Sequence, residues 1–133
     1  MSTAIENPKP TVLVVDDDIL VRMVVAEYLR ECGYRVLEAA NWNEAVTALK
    51  SDARIDVVFA DFHVAGTPDG FSLARQARDE RPGVDVILAS SVSKAARKAD
   101  DLCEDAPVIQ KPYDHREVAR RIRSLLATRK RGP

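Results

Sequence analysis

The chain has 133 residues, 46% of them hydrophobic, with 20 basic and 21 acidic side chains and a formal net charge of -1. This length points to one domain with a real core. The balanced charge excludes any general pull towards nucleic acid or anionic membrane, and no apolar run approaches the ~20 residues of a membrane span. Residues 1–10 are polar with two prolines and read as a loose leader, not an export signal. The expected compartment is therefore the cytoplasm, where Cys32 and Cys103 are reduced thiols. Two cysteines and two histidines, all far apart, make no zinc pattern.

Residues 11–15 form a first apolar run that ends on Asp16-Asp17-Asp18. A helical pattern follows, with Val21, Val24, Val25, Tyr28 and Leu29 on one face and Gly33 as its stop. Asp18 reads as the cap of that helix. Tyr34 to Leu37 is a short strand, and Asn41 or Asn43 caps a second helix carrying Trp42, Ala45, Val46 and Leu49. The run 56–60 is a third strand, continuous and apolar enough to be buried on both faces, and it stops on Asp61. Val64 to Gly70 is a loop, with two glycines and a proline. Phe71, Ala74 and Ala77 line a third helix that ends at Pro82-Gly83. Val84 to Ala89 is a fourth strand, followed by a weak polar helix around Ala95, Ala96, Ala99 and Leu102. Pro107 to Gln110 is the fifth strand, ending on Lys111-Pro112. Asp114 caps a last helix with Val118, Ile122, Leu125 and Leu126 inward. Strict alternation of five strands and five helices predicts an α/β fold, a doubly wound five-stranded parallel sheet with helices on both faces. Residues 11–127 then form the domain, and 128–133 a basic tail.

Parallel strands bring their carboxyl ends to one rim, where open α/β folds place ligand chemistry. Asp16, Asp17 and Asp61 would meet there, a crowding of like charge that calls for a cation. Only oxygen ligands are on offer, which suits Mg²⁺. Lys111 adds a fixed positive charge from another strand. Carboxylates, a hard cation and a lysine suit a phosphoryl group, and one of the carboxylates can be its covalent acceptor. Ser90, at the end of the fourth strand, is placed to donate a hydroxyl hydrogen bond to a phosphoryl oxygen. Trp42 and Tyr113 read as packing residues, with a partner surface as the alternative for Tyr113.

These residues carry a family resemblance. The acidic pair Asp16-Asp17, the acceptor position Asp61, the hydroxyl position Ser90 and Lys111-Pro112 occur in order, each at a strand end. From residue 11 to about 127 the chain resembles the receiver domain of two-component response regulators, of the single-domain chemotaxis type. The resemblance implies the flavodoxin-like receiver fold. It implies that Asp61 accepts phosphate from a sensor histidine kinase or a histidine phosphotransfer protein. It implies that Asp16 or Asp17, Asp61 and the backbone carbonyl of His63 hold Mg²⁺. Ser90 is the expected switch hydroxyl, with Ser91 as the alternative. The chain departs from the family in the 65–70 loop, longer by one residue and with Ala65 where proline is frequent. It departs again at Val108, where a switching aromatic is usual. Val108 is too stiff at χ1 to swing like a ring, so the segment 91–101 is expected to carry the output.

The expected partners are the phosphodonor and a downstream protein target, with no nucleic acid and no membrane. The expected state is a monomer or weak homodimer. The chain ends soon after its last helix, so output is expected through protein binding or onward phosphotransfer. Two other readings use the same residues. An aspartate-nucleophile phosphatase usually carries a second acid two residues after its nucleophile, where this chain has His63. A receiver-like binding module would work without phosphorylation and would not need the full set of acids with Lys111.

Overall fold

The structure is a computed structural model, and it describes residues 9–66, 69–90 and 108–131. The strands are β1 Thr11–Val15, β2 Arg35–Ala39, β3 Val57–Asp61, β4 Asp85–Ser90 and β5 Val108–Gln110. The helices among the described residues are α1 Ile19–Glu31, α2 Trp42–Lys50, α3 Gly70–Glu80 and α4 His115–Arg131. All strand pairs are parallel, in the order β2-β1-β3-β4-β5. The doubly wound parallel sheet expected from the alternation is thus formed. The expected fourth helix, around Ala95 to Leu102, falls outside the described residues.

β1 and β3 sit at the centre of the sheet, which explains their unbroken apolar runs. Val12 to Val15 and Val57 to Ala60 are each no more than 2% exposed. The odd and even positions of these strands feed two separate cores. On one face Leu13, Val58 and Leu88 pack under α2 and α3 through Trp42, Leu49, Leu73 and Ala77. On the other, Val14, Phe59 and Ile87 pack under α1 and α4 through Val25, Leu29, Val118 and Ile122. Asp56, one residue ahead of β3, is buried, and its Oδ2 accepts the Thr11 N–H at 2.8 Å. That bond ties the amino-terminal ends of the two central strands together.

The helix starts follow from local side chains. Asp18 caps α1 by accepting from the Leu20 and Val21 N–H groups. Asn41, not Asn43, caps α2: its Oδ1 accepts from Glu44 N at 2.9 Å, while Glu44 Oε1 accepts from Ala40 N at 2.7 Å. Asp69 caps α3 through Ser72 N, and Asp114 Oδ1 accepts from Arg116 N ahead of α4. Gly33 closes α1 with φ +100°, where a side chain would be strained. α4 continues through Arg129, Lys130 and Arg131, residues the sequence assigned to the tail.

The inner face of α1 differs from the expected one. Val25, Ala26 and Leu29 are buried, whereas Val24 is 57% exposed. The apolar residues of the first two turns run almost all round the helix. The buried stripe is therefore chosen by the sheet beneath, not by the spacing.

Candidate functional site

Asp16 follows β1 directly, Asp61 is the last residue of β3, and Lys111 follows β5. The register pairs Val15 with Ala60 and Asp61 with Ala89, so these strand ends reach one rim. There a carboxylate oxygen from each of Asp16, Asp17 and Asp61 lies within 4.8 Å of the other two. Asp16 is buried, Asp61 half-buried and Asp17 exposed. Lys111 Nζ donates to Asp61 Oδ2 at 2.8 Å. The other oxygen, Asp61 Oδ1, accepts the His63 N–H at 3.0 Å. The expected convergence of three acids and one ammonium is present.

Among the described residues the charges are unbalanced, three carboxylates against one ammonium. Burial raises the carboxyl pKa of Asp16, and the Asp61 and Asp17 charges push the same way. The Asp18 N–H and Lys111 oppose them. A divalent cation would remove that excess. The donor set is all hard oxygen, so the residues present fit Mg²⁺. The cleft above them has a volume of about 770 Å³, and its far wall is apolar, built by Leu20, Val21, Val24 and Tyr113. Tyr113 meets Phe59 edge to face, with ring centroids 5.6 Å apart.

Ser90 ends β4 one step beyond Ala89, the register partner of Asp61, and is 1% exposed. Its carbonyl accepts the Lys111 N–H at 2.7 Å, which joins the ends of β4 and β5. The alternative hydroxyl Ser91, the segment 91–101 and the Val108 side chain lie outside the described residues. His63 is exposed, its ring 5.1 Å from that of Phe62. Gly66, in the 65–70 loop, has φ +97° and lies against Trp42, whose N–H donates to the Ala65 carbonyl at 2.8 Å.

Two features were not found from the sequence. Arg22 Nη1 donates to the backbone carbonyl of Asp16 at 2.8 Å, a contact with no side-chain signature in the sequence. Ile19, Leu20, Met23 and Val24 form an exposed apolar face on α1, 53–70% accessible, beside the acidic cleft. Its signal was present in the near-continuous apolar run at the start of the helix.

Comparison with known proteins decides the family. The family model described as "Response regulator receiver domain" matches residues 12–123. The chain belongs to the response regulator receiver domain family. Its receiver domain is 32% identical over 115 residues to the transcriptional regulatory protein ResD of Bacillus subtilis, covering 86% of this chain and 47% of that protein. It is also 32% identical over 126 residues to the phosphate regulon transcriptional regulatory protein PhoB of Pseudomonas aeruginosa, covering 92% of this chain and 53% of that one. The chain thus spans about half the length of these curated relatives. Among solved structures, a CheY-like receiver domain protein from Methanospirillum hungatei superposes with a TM-score of 0.82. It covers 94% of this chain and 100% of its own at 24% identity, a likeness of fold. The receiver domain is a phosphoacceptor module of two-component signalling. No helix among its described residues is long and apolar enough to cross a membrane.

Proposed function

We propose that this receiver domain accepts its phosphoryl group on Asp61. The donor is a phosphohistidine of a sensor histidine kinase or a histidine phosphotransfer protein. The observation that carries this reading is the Lys111–Asp61 pair at 2.8 Å within a cluster of three carboxylates. Among the described residues Asp61 is the one acid of the three bonded to a lysine, and that lysine can follow the negative charge onto a phosphoryl oxygen. Asp16, Asp17, Asp61 and the His63 carbonyl would hold Mg²⁺. When bound, Mg²⁺ neutralises charge on the phosphoryl oxygens.

An Asp61 carboxylate oxygen attacks phosphorus as the P–N bond of the donor breaks. The imidazole leaves with the bonding electron pair and takes a proton, and an acyl phosphate remains on Asp61. Lys111 turns to the phosphoryl group, and Ser90 donates its hydroxyl to it. Water later cleaves the acyl phosphate and regenerates the carboxylate. The domain thus catalyses its own phosphorylation and hydrolysis and has no free substrate to turn over.

The exposed face of α1 supports a protein as the donor. Leu20 and Val24 line the acidic cleft and also belong to that face. A partner whose histidine reaches Asp61 would cover it, burying apolar surface otherwise left in water. Output is phosphorylation-dependent protein binding or onward phosphotransfer.

The test is incubation with acetyl phosphate and intact-mass detection of one added phosphoryl group. Wild type with Mg²⁺ should gain it. Asp61→Asn, and wild type in EDTA, should not. Equal labelling of Asp61→Asn would overturn the assignment.

A further inference from the structure

Asp16 is held from several sides. Its N–H donates to the Ala39 carbonyl of β2 at 3.1 Å, and its Oδ1 accepts the Asp18 N–H at 2.9 Å. Its own carbonyl accepts from Arg22 Nη1 at 2.8 Å. Three of its four polar atoms are thus engaged among the described residues, leaving Oδ2 for a ligand. Arg22 is itself fixed. Its side chain is only 14% exposed, and its Nε donates to Glu38 Oε1 of β2 at 3.3 Å. Glu38 Oε2 accepts from Arg30 Nη2 at 3.1 Å, and Arg30 also donates to the Val36 carbonyl at 3.2 Å. The chain of contacts therefore runs from α1 through Glu38 and back to the backbone of Asp16.

We propose that Arg22, oriented by Glu38, is a positioning residue for the cation-binding carboxylate of Asp16. The inference rests on the reading of Asp16 as a cation ligand. A guanidinium can serve the Asp16 carbonyl and the Glu38 carboxylate at once, because its donors form a rigid planar fork. An ammonium at this site keeps the charge and loses the fork. The loop between β1 and α1 holds Asp16 and Asp17, so a loosened Asp16 carbonyl frees both carboxylates to splay under their mutual repulsion. Groups that orient metal ligands without touching the metal commonly set its affinity within ten- to a hundredfold.

Calorimetric titration of the whole chain with MgCl₂ tests this. Arg22→Met should weaken Mg²⁺ binding by about tenfold, and Arg22→Lys should restore only part of the loss. Glu38→Gln should weaken it less than Arg22→Met. Arg81 supplies a control for general loosening. It clamps the carbonyls of Leu49, Ser51 and Ala53 at the opposite end of the sheet. Arg81→Met should lower the melting temperature and leave Mg²⁺ affinity unchanged. Labelling by acetyl phosphate in Arg22→Met should recover at saturating Mg²⁺, because Arg22 does not touch the phosphoryl group. Arg22→Met binding Mg²⁺ within twofold of wild type, while Asp16→Asn weakens it, would overturn the role of Arg22 alone. An equal affinity loss in Arg81→Met would also overturn it. Undiminished binding in Asp16→Asn would instead sink the cation-site reading beneath it.

Discussion

Tyr113 separates what a residue costs from what it contributes. Its hydroxyl is buried and has no hydrogen-bond partner among the described residues. Burial, with the Asp16 and Asp61 charges adding to it, pushes the phenol pKa up to about 12. Below pH 10 the phenol is neutral both folded and unfolded, so the stability tied to its shift is intact. Between pH 10 and about 12 the unfolded chain ionises first, and stability falls as pH rises. Tyr113→Phe should be at least as stable as wild type in urea at pH 7, since a buried hydroxyl without a partner carries a desolvation cost and no compensating bond. It should then lose less stability than wild type between pH 9 and pH 11.5, which urea midpoints at the two pH values would measure. An identical alkaline loss in both would refute the burial argument. Gly70 is a second residue whose identity is dictated by space. An added Cβ would lie 2.6 Å from Phe62 Cδ2 and 3.1 Å from Phe62 Cα. Gly70→Ala should therefore cost about 1–3 kcal/mol in urea unfolding. Asp16, Asp17, Asp61 and Lys111 were legible in the sequence because each ends an apolar run. Arg22 was not, because it holds a backbone carbonyl and leaves no pairing pattern to read.

Among the elements, strands were easier to read than helix faces. A strand buried on both sides has no face to choose, so the runs at 12–15 and 57–60 declared themselves. α1 carries Ile19, Leu20, Val21, Met23, Val24, Val25 and Ala26 within its first two turns. Such a run fits several stripes, and the contact with β1 and β2 selects the one holding Val25, Ala26 and Leu29. The rejected side is the exposed apolar face, which makes a specific claim about the donor. Ile19→Ser/Met23→Ser changes only exposed side chains, 58% and 53% accessible, and should leave unfolding within about 0.5 kcal/mol of wild type. Labelling by acetyl phosphate should be unchanged. Transfer from a phosphorylated histidine kinase or phosphotransfer protein should fall about tenfold, the loss of one interface contact worth about 1.4 kcal/mol. Undiminished transfer would show that the donor docks elsewhere.

At the scale of the whole molecule, the strand order makes the site. Alternation predicts parallel strands but not which are neighbours. The chain runs outward from β1 to β2, then returns past β1 to β3 and on to β4 and β5. The reversal opens a crevice between β1 and β3, where a doubly wound sheet binds its ligand. Asp16 and Asp61 stand on its two sides, and Lys111 reaches Asp61 from beyond β5. Had β2 been inserted between β1 and β3, the same motifs would lie one strand spacing further apart and the three carboxylates would not meet. The central claim is that Asp61 carries the phosphoryl group. An aspartyl phosphate is reduced by borohydride to homoserine, which marks the acceptor permanently. Peptide mapping after acetyl phosphate, Mg²⁺ and borohydride should find homoserine at position 61 and an unmodified carboxylate at 16 and 17. Homoserine at 16 or 17, or no conversion at 61 in a sample shown by intact mass to be phosphorylated, would contradict it.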